Sequence, residues 1–380
     1  MFFIKLINFI LKIIVLFLRI VAFFISKIII FKIHLRDTTR IGGIMREIDI
    51  YKIERDKTKH PSRTIFILVS ELPVCNDFLD ITNKKKIKKI FKYCFFFQKN
   101  KFFNYWWSSE RRFPFGKINK IIFENIRLSP YSNEGHDLYN KDSDFFYYDY
   151  VKSPQLNLNH KEISIKNNFL NNLNLEKKNW ICIHNRDSGY LKNLEKYDNF
   201  KNIDFKYHNY RDSDVNKLIN STKFLVEKNF YVLRMGRIQS SKMNFKHPNF
   251  IDYAFEKDRS DFNDIYLFSK CAAYLGSDSG PGDITFLSGK PRFLMNYSLT
   301  LLYHFHHGGY PGARKNNFPI IFKHLYDEKH QTKLTLKQII NKKLMGQANG
   351  EELKKSGVLP IENSEEEILD LTLEMINYLE

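Results

Sequence analysis

Cysteine is scarce in this chain, and its four copies follow no pattern. Cys75, Cys94, Cys182 and Cys271 stand far apart in 380 residues, at no spacing that suits a zinc site or a redox pair. Cys182 and Cys271 lie inside apolar runs and read as small buried hydrophobes in a reducing compartment. Glycine and proline are also few, 16 and 11, which excludes collagen-like and linker-rich chains. No internal repeat or low-complexity linker is evident, so repeat architectures are excluded as well. No Asp-x-Asp triplet stands before a suitable loop in the second half, and nothing demands a divalent metal or any other cofactor. An unbroken apolar run of the roughly 20 residues that cross a bilayer is missing too.

What is present describes a folded protein. Hydrophobic residues make up 43% and aromatics 16%, enough apolar surface for two domains of ordinary size. The formal net charge of +18 points to polyanionic neighbours, either phosphates or an anionic bilayer. The lysines are spread along the chain rather than gathered on a recognisable module, which argues against nucleic acid. The chain is also rich in Lys, Asn, Ile and Phe throughout, so coding bias accounts for part of the charge.

The first 33 residues are almost wholly apolar, interrupted by Lys5, Lys12, Arg19, Lys27 and Lys32. At about 100° per residue the first four fall on one narrow face of a helix. A basic, strongly apolar helix over residues 1–36, lying in a membrane interface, is expected; packing on the protein's own core and a tilted span with snorkelling lysines are the alternatives. Residues 37–165 read as one α/β domain, with Thr64–Ser70 a buried strand and Lys84–Lys99 an amphipathic helix. Residues 175–335 alternate strands and helices with short connections, the pattern of a doubly wound parallel sheet. In that half Trp180–His184 is a strand, and Asp261–Lys270 a helix capped by Ser260. Residues 336–380 read as helices returning to the first domain, the last one opened by a Ser364/Glu367 capping box.

Candidate chemistry gathers at the strand ends, where open α/β sheets bind ligands. The run Gly276-Ser277-Asp278-Ser279-Gly280-Pro281-Gly282-Asp283 leads from a strand into a helix. Its N–H groups and the helix N-terminus suit a diphosphate, although an ordinary βα turn needs the same glycines. His184, Asn185, Arg186 and Asp187 follow another strand. Arg186 offers a planar fork for a phosphate, and His184 or Asp187 is placed to take a proton. An ion pair between Arg186 and Asp187 is the structural alternative. Arg211 and Arg234, the latter followed by Met235 and Gly236, add further cationic candidates.

This ordered series of motifs resembles a bacterial family of surface-polysaccharide glycosyltransferases. The members of the series are His184-x-Arg186-Asp187-Ser188-Gly189-Tyr190, Tyr210-Arg211, Arg234-x-Gly236, Ile251-Asp252-Tyr253 and the Gly276–Gly280 run. The resemblance spans roughly residues 40–297. The Asp-Ser-Gly-Pro loop is similar to that of ADP-heptosyltransferases, which carry a histidine where this chain has Asp283. The His-x-Arg element is similar to that of O-fucosyltransferases, whose arginine holds donor phosphate.

The resemblance implies a GT-B-like α/β fold, with two Rossmann-like domains facing a cleft. It also implies metal-independent transfer from a nucleotide sugar, with inversion, to a glycan or lipid-linked acceptor of surface polysaccharide or lipopolysaccharide synthesis. Arg186, His184 and Asp187 are then the catalytic candidates. Arg211, Arg234, Gly236, Ser277, Asp278, Ser279, Gly280, Gly282 and Asp283 are the candidates for donor binding. The N-terminus implies the cytoplasmic face of the bacterial inner membrane. A sugar-nucleotide epimerase of the same architecture and a noncatalytic glycan- or polyanion-binding membrane protein are the alternatives.

Overall fold

The computed structural model describes residues 30–36, 38–41, 44, 64–70, 73–90, 93–98, 179–197, 200–277, 279–298, 319–344 and 350–380, with scattered positions before 21 and between 170 and 175. The chain divides into two compact units, Met1–Leu138 and Tyr139–Glu380.

In the first unit three parallel strands form a sheet in the order β1-β2-β3. They are β1 (Ile30–Arg36), β2 (Thr64–Ser70) and β3 (Tyr93–Gln98), and helix α1 (Asp77–Ile90) connects β2 to β3. The strand β1 corrects the sequence reading, which gave these residues to the N-terminal helix. Phe31, Ile33 and Leu35 alternate with Lys32, His34 and Arg36, and that period of two is a strand signal at the end of an otherwise apolar run. A second correction concerns residues 84–99. The helix starts earlier, at Asp77, where Asn76 Oδ1 accepts from the Leu79 N–H at 2.9 Å. It stops at Ile90, and the aromatic run that follows pairs with β2, with Tyr93 opposite Ile65 and Phe95 opposite Ile67. Aromatic runs favour pleated backbone. Lys84 and Lys88 of α1 hold their ammonium groups over the Phe96 ring, at 5.8 and 5.6 Å from its centre.

Before β1, Phe9, Ile10, Ile13, Phe17 and Ile20 are helical, and their side chains are 47–64% exposed. Among the described residues no helix is long and apolar enough to cross a membrane.

The second unit is built on six parallel strands. They are β4 (Trp180–His184), β5 (Tyr231–Arg234), β6 (Phe250–Ile251), β7 (Ala273–Ser277), β8 (Arg292–Tyr297) and β9 (Ile320–Phe322). Their order is β6-β5-β4-β7-β8-β9. From β4 the chain builds outward on one side through β5 and β6, then crosses back to lay β7 on the other side of β4. The order therefore reverses between β4 and β7, and open parallel sheets bind ligands in the crevice at such a point.

Helices cover both faces of this sheet. On one face Ile181, Ile183, Val232, Ala273, Leu275, Phe293 and Met295 share a buried cluster with Leu225 and Val226 of α3 (Ile219–Glu227), helix α2 being Gly189–Leu194. Helix α4 (Asp261–Lys270) lies on the other face, where Leu267 O accepts from the Trp180 indole N–H at 3.0 Å. Cys182 and Cys271 are fully buried there, as small hydrophobes, and burial holds the Cys182 thiol well above its usual pKa. The Ser260 cap on α4 is present, its hydroxyl accepting from the Asn263 N–H at 3.1 Å. Helix α5 (Gly280–Leu287) connects β7 to β8.

The last 60 residues depart from expectation. Strands β10 (His324–Asp327), β11 (Thr332–Lys333) and β12 (Val358–Ile361) make a small antiparallel sheet in the order β11-β10-β12. Short helices α6 (Leu336–Asn341) and α7 (Gly350–Lys355) help close its core of Leu325, Ile339, Leu344, Leu353 and Val358. Helix α8 (Glu365–Leu379) carries the expected Ser364/Glu367 capping box. Its apolar face packs within the second unit. Ile368, Leu371, Met375 and Ile376 are buried in the core of the six-stranded sheet. Asn296 and Asn363 fix that docking with reciprocal amide bonds of 2.7 Å, each side-chain oxygen accepting from the other's backbone N–H. Asn296 holds a positive φ of 50° to do so, a conformation asparagine tolerates better than most residues.

Candidate active site

The reversal point of the large sheet brings together two of the sequence motifs. His184 ends β4 and Gly276 lies opposite it on β7. A Cβ at Gly276 would stand 2.4 Å from the His184 carbonyl oxygen, so only glycine lets the two strand ends approach this closely. One step further, the backbone N–H of Arg186 donates to the Ser277 hydroxyl at 2.6 Å. Tyr274 closes the turn from beneath, its hydroxyl donating to the Ser277 carbonyl at 3.0 Å. Ser279 reaches that carbonyl only at 3.4 Å. Gly280 and Gly282 lie in the first turn of α5, with the Gly282 N–H bonded to Ser279 O at 3.0 Å. Asp278 lies outside the described residues.

Arg186 is mostly buried, and its guanidinium reaches the 3-10 turn that follows α2. Its Nη1 donates to the His208 carbonyl at 3.1 Å and pairs with the Asp212 carboxylate. Arg186 thus forms an ion pair with a residue 26 positions along, where the structural alternative names Asp187. The pairing brings the 3-10 turn Phe205–Arg211 to the β4 end and carries Arg211 with it. The Asp212 carbonyl accepts from Lys323 Nζ. Lys323 follows β9 and is buried, and burial lowers its amine to about 8, against the opposing pull of Glu362 and Asp212. Burial also raises the Asp212 carboxyl, outweighing the cations Arg186, Lys323 and Arg211 around it. Neither Asp212 nor Lys323 was singled out from the sequence. Asp212 directly follows the Tyr210-Arg211 pair, which was a usable signal. Lys323 follows an apolar strand in a lysine-rich chain and had none.

Several candidates turn out to be framework. Asp187 bonds the Gly189 N–H through Oδ1 at 2.9 Å and the Ser240 N–H through Oδ2 at 2.7 Å, so it ties two loops together and is not placed as a base. Arg234 is 0% exposed. It serves Asp252 at 3.1 Å, Gln239 at 2.9 Å and Asn185 at 3.3 Å, and stacks over Phe255. A buried cation needs such partners, and none of that arrangement presents the guanidinium to a ligand. Gly236 sits at φ 156°, where a Cβ would come within 2.5 Å of the Gln239 amide, so it shapes the same network. Asp283 is buried against Arg292 at 3.2 Å. That pair anchors α5 to β8.

His184 is buried, and the Met235 carbonyl accepts a hydrogen bond from its Nδ1 at 2.8 Å. A carbonyl only accepts, so the ring carries its proton on Nδ1. Burial, reinforced by Arg234, lowers its pKa to about 4. His184 is therefore a neutral ring that ties the β4 end to the loop after β5. The Asp212-Ser213-Asp214 stretch holds two carboxylates at an Asp-x-Asp spacing, but Asp214 caps the next 3-10 turn through the Asn216 N–H at 2.9 Å.

No family model matches the chain, and no curated protein matches it. Among solved structures it is similar to the dodecameric iron-containing heptosyltransferase TibC in complex with ADP-D-β-D-heptose. That match has 8% identity and a TM-score of 0.43, and it covers 93% of this chain and 78% of that one. It is also similar to the iron-containing dodecameric glycosyltransferase TibC from enterotoxigenic E. coli H10407, at 9% identity, with a TM-score of 0.34 and coverage of 74% and 60%. Likeness at this level assigns neither chemistry nor substrate.

Proposed function

We propose that this chain is a glycosyltransferase that moves a sugar from a nucleotide-sugar donor to a glycan or lipid-linked acceptor. One observation carries the reading. At the reversal point of a doubly wound parallel sheet, the Arg186 N–H is bonded to the Ser277 hydroxyl at 2.6 Å. That bond sets the backbone of a cationic residue against a serine- and glycine-bearing loop that opens a helix. The N-terminus of α5 favours negative charge, and Arg186 adds a full positive charge. A diphosphate fits such a place, and in glycosyl transfer the nucleoside diphosphate is the leaving group on which charge grows. Fixed cations and N–H donors lower that barrier without a metal. Ser277, Ser279, Gly280 and Gly282 then line the donor side, with Arg211 close by. An inverting displacement and a product in surface polysaccharide or lipopolysaccharide are part of this proposal.

The exposed helical residues Phe9, Ile10, Ile13, Phe17 and Ile20 and the net charge of +18 support a location on an anionic leaflet. There apolar side chains insert and lysines meet phosphates. We place the enzyme at the cytoplasmic face of the bacterial inner membrane, where lipid-linked acceptors are reached.

The test incubates the full chain with ADP-heptose and a panel of ADP-, GDP- and UDP-hexoses, with and without octyl glycosides as acceptors. Acceptor-dependent release of nucleoside diphosphate is the expected result. Isomerised donor without acceptor would replace the reading by an epimerase. Absence of both transfer and isomerisation would leave a noncatalytic glycan- or polyanion-binding protein.

A further inference from the structure

The carboxylates around the β4 end differ in one respect that matters for chemistry. Both oxygens of Asp187 receive backbone N–H bonds. Both oxygens of Asp252 are engaged, one by Arg234 and the other by the Met243 N–H at 3.1 Å. Asp283 is buried against Arg292. Glu362 takes both the Asp214 N–H at 3.0 Å and Lys217 at 3.9 Å on Oε2, so it too keeps an oxygen unengaged among the described residues, but its contacts lie on the 214–217 turn. Asp212 is different. Its Oδ1 is held by Arg186, its Oδ2 has no hydrogen-bond partner among the described residues, and its side chain is 22% exposed. The backbone carbonyl of the same residue is pinned by Lys323. The carboxylate is thus fixed in direction, with one oxygen open, beside the arginine whose backbone N–H is bonded to the donor loop.

We infer that Asp212 is the general base of the transfer, taking the acceptor hydroxyl proton on Oδ2 while Arg186 holds Oδ1. The inference rests on the glycosyltransferase reading. In the step, the acceptor O–H proton passes to Oδ2 and the acceptor oxygen forms a bond to the anomeric carbon. The bond from that carbon to the donor diphosphate breaks, and its electron pair leaves with the diphosphate beside Arg186. The proton on Asp212 is then lost to water. His184 is not placed for this role, because its ring is buried and its Nδ1 is committed to the Met235 carbonyl. Asp187 is excluded because both its oxygens are occupied. Burial raises the Asp212 carboxyl toward the working range of a base, and the groups facing it are Arg186, Asp187, Lys323 and Arg211.

The experiment compares the wild-type chain with Asp212→Asn, which keeps an oxygen for Arg186 but cannot take a proton. Three quantities are read: donor Kd, transfer to octyl glycosides, and formation of glycosyl azide from azide, a nucleophile with no proton to lose. The expected result is a loss of about 10²–10⁴ in transfer to the hydroxyl acceptor, with donor Kd and azide reaction within a few-fold of wild type. Normal hydroxyl transfer by Asp212→Asn overturns the inference. So does an equal loss with both nucleophiles, since that marks a residue acting only through Arg186. If Asp212→Asn does not fold, Asp212→Glu keeps the carboxylate. It should then retain measurable transfer with an altered acid limb in its pH profile, and an unchanged profile overturns the inference. A wild-type chain that binds no nucleotide sugar fails the underlying reading and takes this one with it. A wild-type chain that transfers while Asp212→Asn does equally well fails the base alone.

Discussion

The backbone N–H of Arg186 and the hydroxyl of Ser277 meet at 2.6 Å, although 91 residues separate them in sequence. The bond joins the ends of β4 and β7, the two strands between which the sheet order reverses. Everything proposed for the site depends on that junction, because it sets the backbone of Arg186 against the loop that enters α5.

Arg186 and Asp187 are neighbours with different work, and substitution should separate them. Arg186→Ala is expected to lower turnover at saturating donor by about 10²–10³, the usual loss for one preorganised donor. Arg186→Lys should rescue little, because an ammonium lacks the planar fork that serves Asp212 and a phosphate together. Asp187→Ala should instead lower thermal stability by about 1 kcal/mol for each backbone bond lost, with activity largely retained below the melting point. Matching losses of activity and stability in the two variants would contradict this division.

Arg234 is expected to behave as framework. Arg234→Met removes a fully buried cation and leaves Asp252, Gln239 and Asn185 without their partner. Breaking a buried pair in this way costs about 3–5 kcal/mol. Urea unfolding of the variant measures it, and a change below about 1 kcal/mol would show that the network is not structural.

Gly276→Ala tests the close approach of β4 and β7. Its methyl would overlap the His184 carbonyl, which is backbone and cannot rotate aside. A destabilisation at or above the upper end of the roughly 1–3 kcal/mol typical of overpacking is expected. Activity should fall with it, since the Arg186–Ser277 bond lies one residue beyond the contact. A variant as stable and active as wild type would mean that the strand ends separate easily.

His184 should make stability acid-sensitive. Its folded pKa, about 4, lies below its ordinary value of 6.5. As pH falls below 6.5 the unfolded chain takes the proton first, so the contribution is complete above 6.5 and is lost as pH falls toward 4. Asp264 acts in the opposite sense, because burial raises its carboxyl to about 7 and favours the folded state as pH falls through that value. The comparison is therefore between wild type and His184→Asn, whose amide still donates to the Met235 carbonyl but does not titrate. Melting temperatures between about pH 7.5 and 4.5 should fall more steeply for wild type. Parallel curves would show that His184 does not titrate between the folded and unfolded states.

The sequence by itself determined the elements whose signal is local. Trp180–His184 and Thr64–Ser70 are strands with the expected bounds, because continuous apolar runs bounded by polar residues suit buried parallel strands. Asp261–Lys270 and the Ser364 helix are also where they were read, because caps are written in adjacent residues. The β/α alternation of the second half was legible for the same reason. Local signal failed where two periods competed, as in Ile30–Arg36 and Tyr93–Gln98, whose apolar residues extend a helical run until a pairing strand claims them. Only the tertiary structure decided which partners the charged residues take. Arg186 has Asp187 beside it in sequence yet pairs with Asp212, and Arg234 is closed off by Asp252, Gln239 and Asn185. The last helix shows the same limit, since its apolar face was plain but its destination was set by the Asn296–Asn363 pair. Ion pairs and helix docking are chosen by distance and burial in three dimensions, and neither is encoded by spacing along the chain.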